Sequence, residues 1–361
     1  MTSPSDRFAE LTRLVEAHTV TRVTPPLLLP AAPYFELAGE EFGRNLLLTT
    51  TNNGVELCLR PDFTLPIAQS FLADGRAGTP SAYTYLGPIF RQLDAQPVEA
   101  QQAGLELLAQ PDPELAIDQV LNFIRRVLTI YDIGAIRVRV GGVGLFEAFL
   151  EASGVPAAWR GRIRHRFGHP EALARLMERL ARPDPGGSAP IPEDRETVVE
   201  IVTEAMIAGG LALVGSRTPD EIADRYIEKQ ALSAAPVPPD VVRLLETYLA
   251  IAAPAADAFD QIEALASEHG FSMQPALSRA RAHLNALSAL APASDVIFDA
   301  GFSPRLDYYT GIVFELLGHD GSILASGGEY DRMLERLGAK APISACGCAV
   351  WVERLERERT R

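Results

Sequence analysis

Two strand-rich ends around a long helical middle constrain the fold of this chain more than any other feature. From about residue 145 to 290 the sequence is mostly Ala, Leu, Arg and Glu at helical spacing, whereas the flanking segments carry short apolar runs bounded by turn residues. The arrangement predicts one sheet shared by both ends, with helices inserted between them. The expected partition is a core built from 1–110 and 290–361, and a mainly helical insertion over 111–289. The predicted class is α+β, an antiparallel sheet flanked by helices.

Local signals fill in this outline. Ser3 followed by Pro4 and Asp6 reads as a helix N-cap, and Phe8, Leu11, Leu14 and Val15 form the apolar stripe of that helix. Thr24 to Pro30 is extended, because each Pro moves its predecessor out of the helical region. Leu46 to Thr51 and Val55 to Leu59, parted by Asn52-Asn53-Gly54, predict a hairpin. Thr64 to Leu72 and residues 114–131 have helical spacing; Tyr83 to Arg91, Gly104 to Leu108 and Ile136 to Val140 read as strands. Breaks at 183–188 and 234–239 separate the middle helices. Val296 to Asp299, Gly311 to Leu317 and Cys346 to Val352 restore strand character, and Gly141-Gly142-Val143-Gly144 reads as a strand-to-helix turn.

Charge and cysteine content exclude several classes. Acids outnumber bases 47 to 33, for a net charge of −14, which disfavours phosphate neutralisation and hence a nucleic-acid partner. No apolar run of ~18 residues and no basic, apolar leader is found, so a cytoplasmic protein with no membrane partner is expected. Cys58, Cys346 and Cys348 lack zinc spacing and read as buried, reduced thiols. His165 and His169 lie four apart, but Gly168 and Pro170 interrupt the helix they would need, so a surface pair is expected rather than a metal site. Neither a metal nor a cofactor is expected.

Six segments together carry a family resemblance. They are Leu59-Arg60-Pro61-Asp62-Phe63-Thr64, Gly87-Pro88-Ile89-Phe90-Arg91, Gln102-Ala103-Gly104-Leu105-Glu106, the run from Leu306-Asp307-Tyr308-Tyr309 to Glu315, Gly327-Gly328-Glu329-Tyr330-Asp331, and Val352-Glu353-Arg354-Leu355. In this order and spacing they resemble the catalytic core of histidyl-tRNA synthetase, a class II synthetase. The resemblance covers most of 20–110 and 295–356 and implies a class II synthetase-like fold. It also implies that Arg91 holds the α-phosphate of ATP, a task suited to a rigid, bidentate guanidinium.

Several nucleotide-handling positions depart from that family. Where the synthetases continue His-Glu-Arg-Pro-Gln after the Phe-Arg pair, this chain has Gln92-Leu93-Asp94-Ala95-Gln96. Pro304 stands where the family places a catalytic Arg, and Arg305, one residue later, falls on the opposite face of a strand. Loss of one such electrostatic donor costs on the order of 10²–10³ in rate. Glu329 reverses the charge of the family's Arg, and Trp351 replaces a glycine, putting an indole where adenine would lie. Arg91 and Arg354 are then expected to mark a relict nucleotide or phosphate site; for Arg91 a core ion pair is an equal reading.

The amino-acid side keeps its pattern better. Asp62 stands where the family has Glu, and Thr64, Gln102, Glu106, Tyr308 and Tyr309 fall on matching positions. Carboxylates suit an α-ammonium and an imidazole, so free histidine is the ligand these six imply. The bland reading is that they satisfy one another in a relict pocket. The sequence also ends in the charged run Glu353 to Arg359 without the family's anticodon-reading domain, so no anticodon-binding domain and no tRNA partner are expected. A kept amino-acid side with a reduced nucleotide side is similar to the family of ATP phosphoribosyltransferase regulatory subunits. That resemblance implies a non-catalytic chain with a dimeric core, which joins the short catalytic subunit in a hetero-octamer. It further implies activation of that subunit in the first step of histidine biosynthesis, and feedback inhibition by histidine. The alternative is an active synthetase-like enzyme forming histidyl-adenylate from histidine and ATP.

Overall fold

Helix α1 (Pro4–Val15) begins as its first residues dictate. The Ser3 hydroxyl accepts the Asp6 N–H at 3.2 Å, the Asp6 carboxylate accepts the Ser3 N–H at 3.1 Å, and Pro4 takes the first helical position. Residues 3–17, 20–92, 98–134, 136–180, 194–208, 218–304 and 308–359 are described by this computed structural model. Beyond strands β1 (Thr21–Arg22) and β2 (Leu28–Pro30) and helix α2 (Ala32–Gly43) comes the expected hairpin of β3 (Leu48–Thr50) and β4 (Glu56–Leu59). Gly54 supplies its left-handed residue at φ +80°. With β2 on the other side of β4, it forms a small antiparallel sheet.

The larger sheet draws strands from both ends of the chain. In order come α3 (Thr64–Ala73), β5 (Ser81–Phe90), β6 (Glu99–Leu108), α4 (Pro113–Ile130), β7 (Arg137–Gly142) and α5 (Val143–Ala152). Four helices follow: α6 (Ala157–Arg164), α7 (Pro170–Leu180), α8 (Arg195–Ala208) and α9 (Pro219–Ala234). The chain then returns through α10 (Pro239–Leu249), β8 (Ala252–Pro254), α11 (Ala255–Glu268), α12 (Gln274–Ser288), β9 (Val296–Asp299), β10 (Ile312–Leu317), β11 (Ile323–Glu329), α13 (Asp331–Arg336), β12 (Ala345–Trp351) and α14 (Val352–Arg359). The nine strands lie in the order β1-β5-β6-β12-β11-β10-β7-β9-β8. From β5 across to β7 every pairing is antiparallel, which is the expected α+β class. Helix α4 buries Ile117, Val120, Leu121, Ile124 and Val127 and packs on β6 and β12.

The domain boundaries differ from the expected ones. One compact unit comprises Met1–Phe149 and Tyr248–Arg361, the other Leu150–Thr247. The 111–289 span expected as insertion therefore loses both of its ends. Strand β7 sits between β10 and β9, and α4, α11 and α12 belong with the sheet. Strand pairing decides this, and pairing between distant segments leaves no local trace in the sequence. The smaller unit is helical, held in part by the Trp159 indole N–H donating to Ala235 O at 2.8 Å and by an Arg162–Glu228 ion pair at 2.8 Å. Strand β11 was not foreseen either. Its Gly327 weakens the pattern, yet a Cβ there would lie 2.3 Å from Gly347 O, so the close strand approach requires glycine.

Candidate functional site

Residues 60–64 place the first acid of the site. Pro61 keeps Arg60 extended, and the Arg60 guanidinium, 1% exposed, ties the segment down by donating to Pro88 O at 2.8 Å and to Pro25 O while stacking 4.0 Å over Phe63. Phe63 stacks in turn on Tyr85 at 4.3 Å. Held this way, Asp62 accepts the Leu65 N–H at 3.2 Å at the start of α3, and Thr64 turns its hydroxyl toward β6.

Strand alternation brings the rest together. Gln102 and Glu106 share one face of β6, and their direct partners on β12 are Trp351 and Gly347. All six residues expected to hold histidine, Asp62, Thr64, Gln102, Glu106, Tyr308 and Tyr309, line one cavity of about 70 Å³, together with Arg91, Trp351 and Tyr330. That is room for several waters. Glu106, 1% exposed, accepts the Thr64 hydroxyl at 2.6 Å, the Tyr330 hydroxyl on its other oxygen, and the Tyr85 hydroxyl at 3.5 Å. Tyr308 and Tyr309 lie with ring centroids 5.1 Å apart, and Tyr330 meets Tyr308 edge-on. Gln102 Oε1 is buried with no hydrogen-bond partner among the described residues.

The electrostatics follow from this enclosure. Burial pushes the Glu106 carboxyl up to about 8, opposed by the hydroxyls of Thr64 and Tyr330 and reinforced by nearby Asp62. Burial also raises Asp62, against the pull of Arg91, the Leu65 N–H and Arg60. The cavity thus offers acceptors, neutral hydroxyls and two reluctant acids, a set suited to an ammonium or imidazolium group.

Cations on the nucleotide side are already engaged. Arg91 donates from Nε to Pro61 O at 2.7 Å and lies 5.0 Å over the Phe42 ring. No carboxylate pairs with it at ion-pair distance among the described residues, although its charge acts on the buried Asp62. Arg354 does not line the cavity; it stacks 4.8 Å over Trp351 and donates to Ile323 O at 2.8 Å, and burial lowers its pKa. Glu329 pairs with Cys346 on the other face of the sheet, where its carboxylate accepts the Ile312 N–H at 2.8 Å. Pro304 is uncharged, and Arg305, Leu306, Asp307, the 93–96 loop and the break at 183–188 lie outside the described residues. Among the described residues no group of three His, Cys, Asp or Glu side chains could hold a metal. Reading the sequence missed Tyr330 and Tyr85 as site residues, although Tyr330 lies in a quoted motif and its hydroxyl is what Glu106 needs.

A family profile described as Histidyl-tRNA synthetase matches residues 5–182 and 223–355. A protein named ATP phosphoribosyltransferase regulatory subunit from Rhizobium rhizogenes is 36% identical over 353 residues, 95% of each chain. Another of that name from Mesorhizobium japonicum is 35% identical, covering 97% of this chain and 96% of the relative. The chain belongs to the family of ATP phosphoribosyltransferase regulatory subunits. Among solved structures, this regulatory-subunit family member superposes on an ATP phosphoribosyltransferase regulatory subunit/histidyl-tRNA synthetase from Bacillus halodurans with a TM-score of 0.66 at 20% identity, over 99% of this chain and 79% of that one. A histidine–tRNA ligase subunit from Alicyclobacillus acidocaldarius gives 0.58 at 24% identity, over 100% and 95%. These likenesses establish the class II synthetase-like fold, and no helix among the described residues is long and apolar enough to cross a membrane.

Proposed function

We propose that this chain is a non-catalytic regulatory subunit that activates the short catalytic subunit of ATP phosphoribosyltransferase in the first step of histidine biosynthesis, and that it relays feedback inhibition by histidine bound in the β6–β12 cavity. The carrying observation is the gathering of Asp62, Thr64, Gln102, Glu106, Tyr308 and Tyr309 around one cavity, with Trp351 at its rim stacked under Arg354. Family membership over almost the whole chain supports the regulatory role. The fit of acids and hydroxyls to an ammonium and an imidazole supports histidine as the ligand. In this reading Arg91 and Arg354 are remnants of a phosphate site, spent on backbone carbonyls and aromatic faces.

Histidine bound here biases the partner only through different affinities for its active and inhibited states. Dimeric self-association, a hetero-octamer with the catalytic subunit, absence of a tRNA partner and action in the cytoplasm complete the proposal. The test is reconstitution: adding this chain to the short catalytic subunit is expected to raise its turnover, and histidine is expected to reverse the gain. Pyrophosphate exchange dependent on histidine and ATP, by this chain alone, would instead support the adenylate-forming alternative.

A further inference from the structure

Tyr308 and Tyr309 line the cavity, yet neither is held by a hydrogen bond of its own among the described residues. What fixes them is the turn they lead into, Thr310 to Ile312. Thr310 N–H donates to Glu329 O at 2.9 Å, and Ile312 N–H donates to the Glu329 carboxylate at 2.8 Å. The Thr310 hydroxyl oxygen accepts the Asp331 N–H at 3.2 Å, and Gly311 O accepts the Val143 N–H at 2.9 Å. Two of these four bonds belong to Glu329, one through its main chain and one through its side chain. A Cβ on Gly311 would run into the Glu329 carboxylate, so the acid lies directly against the turn. It does so from the face of the sheet turned away from the cavity, beside Leu107 and Cys346. Burial raises the Glu329 pKa, opposed by the Ile312 N–H and by the charge of Arg279.

We propose that Glu329 is a positioning residue for the cavity: its carboxylate fixes the Thr310–Ile312 turn and thereby sets where Tyr308 and Tyr309 stand. The inference rests on reading the cavity as the histidine site. A binding side chain is only as well placed as the backbone that carries it and the hydrogen bonds that lock that backbone. The synthetases carry Arg at this position, and a guanidinium has donors but no acceptor. The reversal to Glu329 therefore changes more than charge. It gives the Ile312 N–H an acceptor that the family's residue could not offer, and it ties the far face of the sheet to the tyrosine pair.

The test compares the full chain with two variants. Glu329→Met keeps the length of the side chain but offers the N–H only a weak acceptor, whereas Glu329→Gln keeps an acceptor oxygen and loses the charge. In calorimetry with histidine, Glu329→Met is expected to bind about tenfold more weakly, the scale of one hydrogen bond to a charged group, and Glu329→Gln to recover most of the loss. Hydrogen–deuterium exchange of the ligand-free proteins is expected to quicken in Glu329→Met over residues 308–312, and to return to the wild-type rate in Glu329→Gln. If Glu329→Met does not fold, Glu329→Ala replaces it. A purely structural role would lower the urea midpoint while leaving histidine affinity and exchange over 308–312 as in wild type, and that result would overturn the proposal. Glu329→Gln as weak as Glu329→Met would also overturn it, since the acceptor would not be what matters. If wild type binds no histidine, the reading of the cavity falls, and unchanged exchange over 308–312 overturns the positioning role separately.

Discussion

The two halves of the cavity handle charge in opposite ways. On the amino-acid side two acids sit without a bound counter-cation, supported by hydroxyls and by the empty oxygen of Gln102. On the side proposed as the old nucleotide site, Arg91 lines the cavity and Arg354 stacks on Trp351 outside it, and each holds a backbone carbonyl and an aromatic face. Residue identity alone would count both arginines as phosphate ligands. Their partners show that a binding group is defined by what it has left to give: Arg354 is held away from the cavity on Trp351, whereas Arg91 is anchored through Nε and still lines it.

The comparison is tested hardest by reopening the old nucleotide side. Trp351→Ala removes a nearly buried indole and the stack under Arg354, and is expected to cost about 3–5 kcal/mol in urea denaturation. Pyrophosphate exchange is nevertheless expected to stay absent, because Pro304 supplies no cation where the synthetases carry a catalytic Arg; exchange in this variant would show that Trp351 alone closes the nucleotide side. Next in size, Glu106→Gln is expected to weaken histidine binding by about 1.5–3 kcal/mol, the worth of a hydrogen bond to a charged group, read by calorimetry. Unchanged affinity would mean that the amino-acid side does not use its acid.

A third test follows the empty protein against pH. Glu106 is raised from 4.5 to about 8 on folding, so its contribution to stability is complete below about pH 4.5 and is lost as pH rises through about 8. Unfolding free energies from urea denaturation are expected to lose up to ~1.4 kcal/mol per pH unit to this group across that window, and the Glu106→Gln variant to lose its share of the slope, the raised Asp331 keeping its own. The smallest effect serves as the control far from either side. Ser3→Ala removes the α1 cap and is expected to cost about 1 kcal/mol with histidine affinity unchanged.

What the sequence made legible was local chemistry. The Ser3 cap and the Asn-Gly hairpin appear where their residue types and spacing put them, because each depends on neighbours a few positions away, and the six residues read from a family motif line one cavity. What it hid depended on pairing across the chain. The place of β7 between β10 and β9 moved the insertion boundary, and the register of β12 on β6 set Trp351 against Gln102. Tyr330 was passed over because the charge of Glu329 beside it drew the reading, although Glu329 turns to the other face.

The seating of β12 between β6 and β11 also sets a schedule. Tyr85 and the Cys348 carbonyl it bonds are 263 positions apart, so the floor of the cavity is missing while most of the chain is being synthesised. A ribosome must deliver the chain as far as β12 before Glu106 is sealed in, and until then its carboxylate stays in water and ionises as any surface acid does. Closure of the pocket thus waits for β12, and a chain ended before that strand would offer a partner the outer helices of this fold with no pocket behind them.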